Sequence, residues 1–162
     1  MKAAIFDLDD TLVRNKSGEE VPVKGVRNLL HLAEASNHLE SIVLTARTEE
    51  VREETINLMD RLDIKYDRFY MRPDSDISKP DDVFKRNVLE DLRDEGISVE
   101  FAVEDKKSVA EMWQRQGVEC LKMPEKHHLR HELTDILRKF FPYTPEFIRK
   151  TYLDQYRKHF ER

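Results

Sequence analysis

The segment Ala3-Ala-Ile-Phe-Asp-Leu-Asp-Asp-Thr-Leu12 is an apolar strand that ends in carboxylates. Asp7 and Asp9 are two residues apart, so an extended chain projects both side chains to the same side. Such a pair is costly to desolvate unless a cation or a proton lies between the two groups. Mg²⁺ is the usual cation, because it prefers oxygen ligands and keeps positions open for phosphate. The segment predicts a metal site for phosphate chemistry, and the simpler alternative is a strand that ends in an acidic turn.

Apolar runs alternate with helical patterns along the chain, which is typical of an α/β fold with a parallel sheet flanked by helices. The predicted strands are 3–8, 41–45, 68–71, 99–103 and 119–123. The predicted helices of the same region are 23–36, 49–62, 80–95 and 108–116. Two further helical stretches follow at about 126–141 and 145–160, separated by prolines. We expect a core domain over residues 1–123 and a C-terminal helical extension over 124–162 that packs on the core.

Charge is unevenly distributed over the 162 residues, whose formal net charge of −5 argues against a general nucleic-acid coat protein. Residues 122–162 contain ten Lys/Arg against six Asp/Glu, so this part carries +4 and the preceding 121 residues carry −9. The single cysteine, Cys120, excludes an internal disulfide and predicts a reducing cytoplasm. No apolar run approaches 18 residues and the amino terminus enters a strand at once, so we expect neither a membrane span nor a secretory signal.

A second predicted strand, Ser41-Ile-Val-Leu-Thr-Ala-Arg47, ends in groups that suit a phosphoryl oxygen. The Thr45 hydroxyl and a backbone N–H, that of Ala46, could hold this oxygen, and Arg47 could bind it through two parallel hydrogen bonds. The alternative is that Thr45 caps the next helix while Arg47 is solvated.

A third predicted strand, Val99-Glu-Phe-Ala-Val-Glu-Asp105, ends in two acids. Asp105 would complete the metal shell, with Glu104 supporting it or substituting for it, unless the two only form an acidic turn. In a doubly wound sheet, strand ends that are distant in sequence converge at the carboxyl edge where the strand order reverses. We therefore expect the three strand ends to form one site.

The first segment resembles the nucleophile motif Asp-x-Asp-x-Thr of the haloacid-dehalogenase (HAD) superfamily of phosphotransferases, with Asp10 at the place that is commonly Gly. Residues 102–120 are similar to the phosphatase domain of bacteriophage polynucleotide kinase/3′-phosphatase, through the acidic pair, the Met-Trp of the next helix and the closing Gly-Val-Glu-Cys. Pro80-Asp-Asp-Val-Phe-Lys85 is similar to the segment that precedes the acidic pair of that domain. The resemblance implies a three-layer Rossmann-like HAD core and a phage-type origin. The sequence has no Gly-x-x-x-x-Gly-Lys-Ser/Thr phosphate loop, so we expect no kinase activity from it.

The resemblance also implies a mechanism. Asp7 would be the nucleophile that forms an aspartyl-phosphate, and Asp9 would be the general acid and then the general base. Mg²⁺ would be held by Asp7, by the backbone carbonyl of Asp9 and by Asp105. Thr11 and Arg14 would contact the substrate, although Arg14 is shifted from the place of the family's arginine.

The chemistry also requires a cation that keeps the nucleophile ionised. Lys79, in a Lys-Pro step ahead of a predicted helix, resembles a frequent form of the superfamily's third motif, and we assign it this catalytic role. Lys85, which follows within the helix, is the rival and a candidate substrate contact. For each lysine the alternative is a solvated surface charge. The family's acidic residue ahead of this lysine has no clear match, although Asp74 and Asp76 are near.

Members of the HAD superfamily that act on small substrates generally carry a cap domain, inserted after the first or second conserved strand. Here only about 28 residues separate Leu12 from Ser41 and about 30 separate Arg47 from Lys79, so we expect little or no cap domain over the site. An open site suits a phosphorylated DNA or RNA end, and the resemblance implies a polynucleotide 3′-phosphatase. The alternatives are a phosphatase of a nucleotide or other small phosphomonoester, and a non-catalytic HAD-like binding module. The basic extension would cover the site, guide a phosphate backbone, or join subunits of a homo-oligomer.

Overall fold

The computed structural model describes residues 1–123, and the predicted helical extension over 124–162 lies outside them. The first half contains β1 (Lys2–Phe6), β2 (Val13–Lys16), β3 (Glu19–Pro22), α1 (Lys24–Glu34), β4 (Glu40–Thr48) and α2 (Arg52–Arg61). The second half contains β5 (Arg68–Arg72), α3 (Asp81–Asp94), β6 (Ser98–Glu104), α4 (Lys107–Arg115) and β7 (Glu119–Lys122). Each core strand and helix predicted within these residues is present, with bounds shifted by a few residues.

The main sheet has five strands in the order β5-β4-β1-β6-β7, and every neighbouring pair is parallel. The chain first builds outward from β1 through β4 to β5, and then returns to the other side of β1 with β6 and β7. The order therefore reverses around β1, which is the point where open α/β sheets hold their ligands. Because the strands are parallel, the carboxyl ends of β4, β1 and β6 are adjacent at one edge of the sheet.

Two apolar clusters cover the two faces of this sheet. Alternating residues of β1 belong to opposite clusters, with Ala4 and Phe6 in one and Ala3 and Ile5 in the other. The first cluster includes buried side chains of α1 and α2, and the second includes side chains of α3 and α4 such as Trp113, which is 1% exposed. The fold is the predicted three-layer α/β arrangement, and burial of both faces explains why the central strands are almost wholly apolar.

An antiparallel hairpin formed by β2 and β3 was missing from the sequence prediction. Its two-residue turn is Ser17-Gly18, and both residues have positive φ angles of 55° and 85°. Positive φ at both positions is the geometry that matches the twist of a two-stranded hairpin. The base of the hairpin is fixed where the Val23 N–H donates to the Leu12 carbonyl at 2.8 Å. The Ser-Gly pair is a turn signal, but the Asn, Lys, Glu and Pro residues beside it are uncommon in strands, so the sequence did not indicate a hairpin.

Within residues 1–123, no helix has both the length and the apolar character needed to cross a membrane. A cap domain would be inserted between β1 and β4 or between β4 and α3. The first interval contains the β2–β3 hairpin and α1, and the second contains α2 and β5. The described part of the chain therefore has no inserted cap domain.

Candidate active site

Asp7 lies directly after β1, where its backbone N–H still donates to the Val103 carbonyl of β6 at 3.0 Å. Its side chain is buried, and Thr11 Oγ1 donates to Asp7 Oδ2 at 3.1 Å. Asp10 has φ = 59°, the left-handed conformation that glycine adopts freely and aspartate tolerates better than most residues. This conformation explains why the position can be Gly in the motif that the segment resembles.

Lys85 is the cation beside Asp7. Its Nζ lies 2.6 Å from Asp7 Oδ1 and 2.7 Å from Glu104 Oε2, and its side chain is 3% exposed. The assignment of this position to Lys79 was therefore wrong: Lys79 is 43% exposed and pairs with Asp76 at 3.0 Å. The reason is helical phase, because position 85 shares the buried face of α3 with Phe84 and its apolar neighbours, whereas Lys79 precedes the helix.

Burial and ion pairing shift the pKa values of Asp7, Glu104 and Lys85 in opposite directions. Burial raises the pKa of Asp7 to about 6 although Lys85 opposes the shift, and burial with the charge of Asp7 raises the pKa of Glu104 to about 8. Burial alone would lower the pKa of Lys85, but the two carboxylates raise it above its usual value. Two carboxylates thus share one buried ammonium, and the site still lacks positive charge.

A metal ion would supply that charge. One carboxylate oxygen from each of Asp7, Glu104 and Asp105 lies within 4.8 Å of the others. With all three acids ionised and Lys85 protonated, the cluster carries two net negative charges, which a divalent cation would offset. The donors are all oxygens, which suits Mg²⁺, so the residues fit the metal that the sequence predicted. The Asp9 carboxylate lies outside this cluster and accepts hydrogen bonds from Arg47, so the ligand role of the Asp9 backbone carbonyl stays a prediction.

Arg47 lies on a bulge at the end of β4. Thr45 pairs with Met71 of β5 and the next paired residue is Thr48, so Ala46 and Arg47 leave the ladder between them. Bulges of this kind re-aim side chains at the ends of strands. Thr45 is fully buried and its Oγ1 accepts the Arg47 N–H at 3.2 Å. Thr45 is therefore not the cap of the following helix.

The Arg47 guanidinium contacts two of the protein's own acids. Its Nη2 donates to Asp9 Oδ1 at 2.6 Å and to Glu20 Oε1 at 2.9 Å, and its Nε donates to Asp9 Oδ2 at 3.0 Å. These contacts, with Asp9 the strongest, raise the pKa of Arg47 above its usual value. The alternative of a solvated Arg47 is therefore excluded, and Asp9 and Arg47 lie together at the sheet edge.

A network around Asp81 was missed by the sequence analysis. Buried Arg72 contacts Asp81 Oδ1 through Nη2 and donates through Nη1 to the Lys79 carbonyl at 2.7 Å. Lys106 Nζ lies 2.5 Å from Asp81 Oδ2. Although burial alone would raise the pKa of Asp81, the hydrogen bonds from Lys106 and Arg72 hold it below its usual value. Asp81 lies in the first turn of α3, one helical turn before Lys85, whereas Asp74 and Asp76 precede this helix.

Arg14 lies on β2 with an exposed side chain. Among residues 1–123, no hydrogen bond or ion pair joins its side chain to Asp7, Asp9 or Arg47, so its contact with substrate stays a prediction. Ala46 is half-buried on the β4 bulge, and the contact of its backbone N–H with a phosphoryl oxygen stays a prediction.

A sheet of this order, a strand-end nucleophile candidate and a buried lysine between two acids define a phosphatase of the HAD type. The family model of the polynucleotide kinase PNKP phosphatase domain matches residues 1–127, so the chain belongs to this family of HAD phosphatases.

Two solved structures, one of the Pnkp1/Rnl/Hen1 RNA repair complex and one of a Pnkp1/Rnl/Hen1 complex, contain similar chains. Each is 26% identical over 75% of this chain, with a TM-score of 0.68. The match spans 42% and 45% of those chains, less than half of their length. The comparison with curated proteins found no match.

Proposed function

We propose that the protein is a Mg²⁺-dependent polynucleotide 3′-phosphatase that acts through an aspartyl-phosphate on Asp7. The observation that carries this proposal is the placement of Asp7 at the end of β1, with Lys85 at 2.6 Å and with Glu104 and Asp105 in the same acidic cluster. The family of the chain and the presence of a similar chain in an RNA repair complex support a polynucleotide substrate.

The side chains divide the reaction into two transfers. The Asp7 carboxylate, held by Lys85 and Thr11, attacks phosphorus and displaces the 3′ oxygen of the nucleic acid, which takes a proton from Asp9. Asp9 then removes a proton from a water molecule that attacks the phosphoryl group and frees Asp7. Bound Mg²⁺ would lie on Asp7, Asp105 and the Asp9 carbonyl, where it would screen the phosphate charge.

Arg47 and the Thr45–Ala46 bend are the proposed phosphate contacts. Because Asp9 and Glu20 accept from Nε and Nη2 of Arg47, its Nη1 N–H groups and its positive charge are what it offers to a phosphoryl oxygen. The Thr45 hydroxyl already bonds the Arg47 backbone, so this bend is ordered before substrate arrives. Preordered donors are worth more in catalysis than donors that must reorganise.

The alternative substrate, a nucleotide or other small phosphomonoester, is favoured by one observation. A groove beside α2 is lined by glutamates at positions 20, 50, 53 and 54, and Glu20 also contacts Arg47. This negative surface repels a long phosphate backbone. A mononucleotide does not extend along this surface, so the repulsion affects it less.

The test is Mg²⁺-dependent phosphate release from a panel of matched substrates. The panel contains a 3′-phosphorylated RNA oligonucleotide, its DNA counterpart, its 5′-phosphorylated isomer, a 3′-mononucleotide and an aryl phosphate, with the Asp7→Asn variant as the inactive control. We expect the highest kcat/KM for a 3′-phosphorylated oligonucleotide. Equal or higher kcat/KM for the mononucleotide would move the assignment to the small-molecule alternative, and no release from any substrate would contradict both.

A further inference from the structure

We infer that Glu20, on the β2–β3 hairpin, is a positioning residue that fixes the Arg47 guanidinium for the substrate phosphate. The inference rests on the proposed function, because it assigns the substrate's phosphate to Arg47. Glu20 would contact neither substrate nor metal, and it would act only through Arg47.

The side-chain hydrogen bonds of Arg47 come from its Nε and Nη2 atoms. Asp9 and Glu20 together accept from Nε and Nη2, at distances from 2.6 to 3.2 Å. Among the described residues, the Nη1 hydrogens have no acceptor. A guanidinium carries five N–H donors in a rigid planar fork, so fixing one edge also fixes the direction of the remaining donors. The Nη1 donors would thus be oriented for phosphate before it binds.

Asp9 alone cannot hold Arg47 throughout the reaction. As the proposed general acid and base, Asp9 must exchange a proton with the leaving oxygen and then with water, so its hydrogen bonds change during each turnover. Glu20 takes no part in proton transfer and remains available as an acceptor. It is therefore the partner that can keep Arg47 in place while Asp9 reacts.

The hairpin is built to hold Glu20 at this position. Its base is fixed by the Val23-to-Leu12 and Asp10-to-Val13 hydrogen bonds, of 2.8 and 2.7 Å, and by buried Val13 and Val23. Within residues 1–123, the Arg47–Glu20 contact is the side-chain hydrogen bond that joins β2 or β3 to the main-sheet strands. The pair links the hairpin to the β4 bulge directly over Asp9.

Glu20 can be changed without loss of the fold. Its side chain is 39% exposed, and ion pairs at such exposure contribute little to stability. Glu19 gives a matched control, because it lies next to Glu20 on the same strand, is exposed and has the same charge. Glu19→Gln controls for the loss of one hairpin charge. Loss of the Glu20 charge beside Arg47 would by electrostatics alone strengthen binding of an anionic substrate and lower KM, which is opposite to the effect expected from loss of positioning.

The test compares steady-state kinetics of the wild type, Glu20→Gln, Glu19→Gln and Arg47→Ala on a 3′-phosphorylated oligonucleotide. We expect Glu20→Gln to raise KM about three- to tenfold with kcat within about twofold, because it disturbs ground-state and transition-state binding alike. Glu19→Gln should match the wild type. In the Arg47→Ala background, Glu20→Gln should have no further effect. An unchanged or lower KM in Glu20→Gln, or an equal effect of Glu19→Gln, would overturn the positioning role.

A second measurement is independent of catalysis. ¹⁵N relaxation of the Arg47 Nε–H group reports whether the guanidinium is fixed in the free protein. We expect this group to be rigid in the wild type and in Glu19→Gln and mobile in Glu20→Gln. If the wild type released no phosphate, the proposed function would fail while this measurement would still decide the role of Glu20. Equal rigidity in all three proteins would overturn that role.

Discussion

Lys85 and Asp7 are 78 positions apart in the sequence, and their side chains meet at 2.6 Å in the interior of the protein. A lysine that is 3% exposed has lost its hydration, and the two carboxylates around it replace that hydration with hydrogen bonds. The ammonium also fixes the orientation of the Asp7 carboxylate, since Thr11 holds the other oxygen. The carboxylate of Asp7, the proposed nucleophile, is thus held at both oxygens.

Lys85→Gln is expected to lower kcat by about a hundredfold or more, because Asp7 loses the ammonium that keeps its carboxylate ionised and oriented and that offsets the charge of the phosphate. Lys79→Gln is the matched control, since it removes the same charge from an exposed lysine six residues away. Its kcat should stay within about twofold of the wild type, because exposed ion pairs contribute little. Thermal unfolding of both variants identifies any loss of fold. A large loss of kcat in Lys79→Gln with normal Lys85→Gln would return the catalytic role to Lys79.

Asp7→Asn is expected to abolish phosphate release and leave the fold intact, because an amide cannot form the acyl phosphate that a carboxylate forms. Loss of a covalent nucleophile costs several orders of magnitude in kcat. The measurement is single-turnover phosphate release at saturating Mg²⁺, with circular dichroism as the check on folding. Retention of more than about one hundredth of wild-type turnover would remove Asp7 from the nucleophile role.

Asp7, Asp9, Thr45 and Asp105 could be found from the sequence because each ends a strongly apolar run. Such runs mark parallel strands, and parallel strands carry their carboxyl ends to one edge. The pattern therefore predicted both the sheet and the set of residues at its edge. The pattern could not predict the hydrogen-bond partner of each side chain, such as that of Asp9, which accepts from Arg47.

The sequence analysis misassigned or missed three charged residues of the site region, namely Lys85, Arg72 and Asp81. A charged residue on a half-polar helix or an edge strand is normally expected to be exposed to solvent. The information was present in the phase of α3, where the buried set Phe84, Val88, Leu89 and Leu92 shares one face with position 85. A Lys-Pro step gave the stronger local signal and pointed to Lys79. The pairing of Arg47 with Asp9 and Glu20 had no sequence signal, since it depends on tertiary structure.

Replacement of Asp10 tests whether the loop after β1 requires the left-handed conformation of this residue, whose φ is 59°. Asp10→Gly should leave stability within about 0.5 kcal/mol of the wild type, because relief of a left-handed residue offsets the greater freedom of the unfolded chain. Asp10→Val should lower the free energy of unfolding by about 1–2 kcal/mol, because a β-branched residue is strained there. Urea unfolding measures both. Equal stability of the two variants would show that this conformation is not required.

The stability of the metal-free protein should fall as pH rises from about 4 to about 8. Folding raises the pKa of Asp7 from 3.8 to about 6 and that of Glu104 from 4.5 to about 8, so the folded state binds protons more strongly than the unfolded chain. The stabilisation from these protons is complete below the unfolded pKa values and is lost as pH rises through the folded ones.

Mg²⁺ should reverse this loss, because it binds the ionised carboxylates of the folded state and replaces the protons. Thermal unfolding with EDTA and with Mg²⁺ is the measurement, and the difference between the two midpoints should grow between about pH 5 and about pH 8. Glu104→Gln removes the group with the larger shift, so its midpoint with EDTA should vary less with pH than that of the wild type. A difference that is constant with pH in the wild type would contradict a metal site built on Asp7, Glu104 and Asp105.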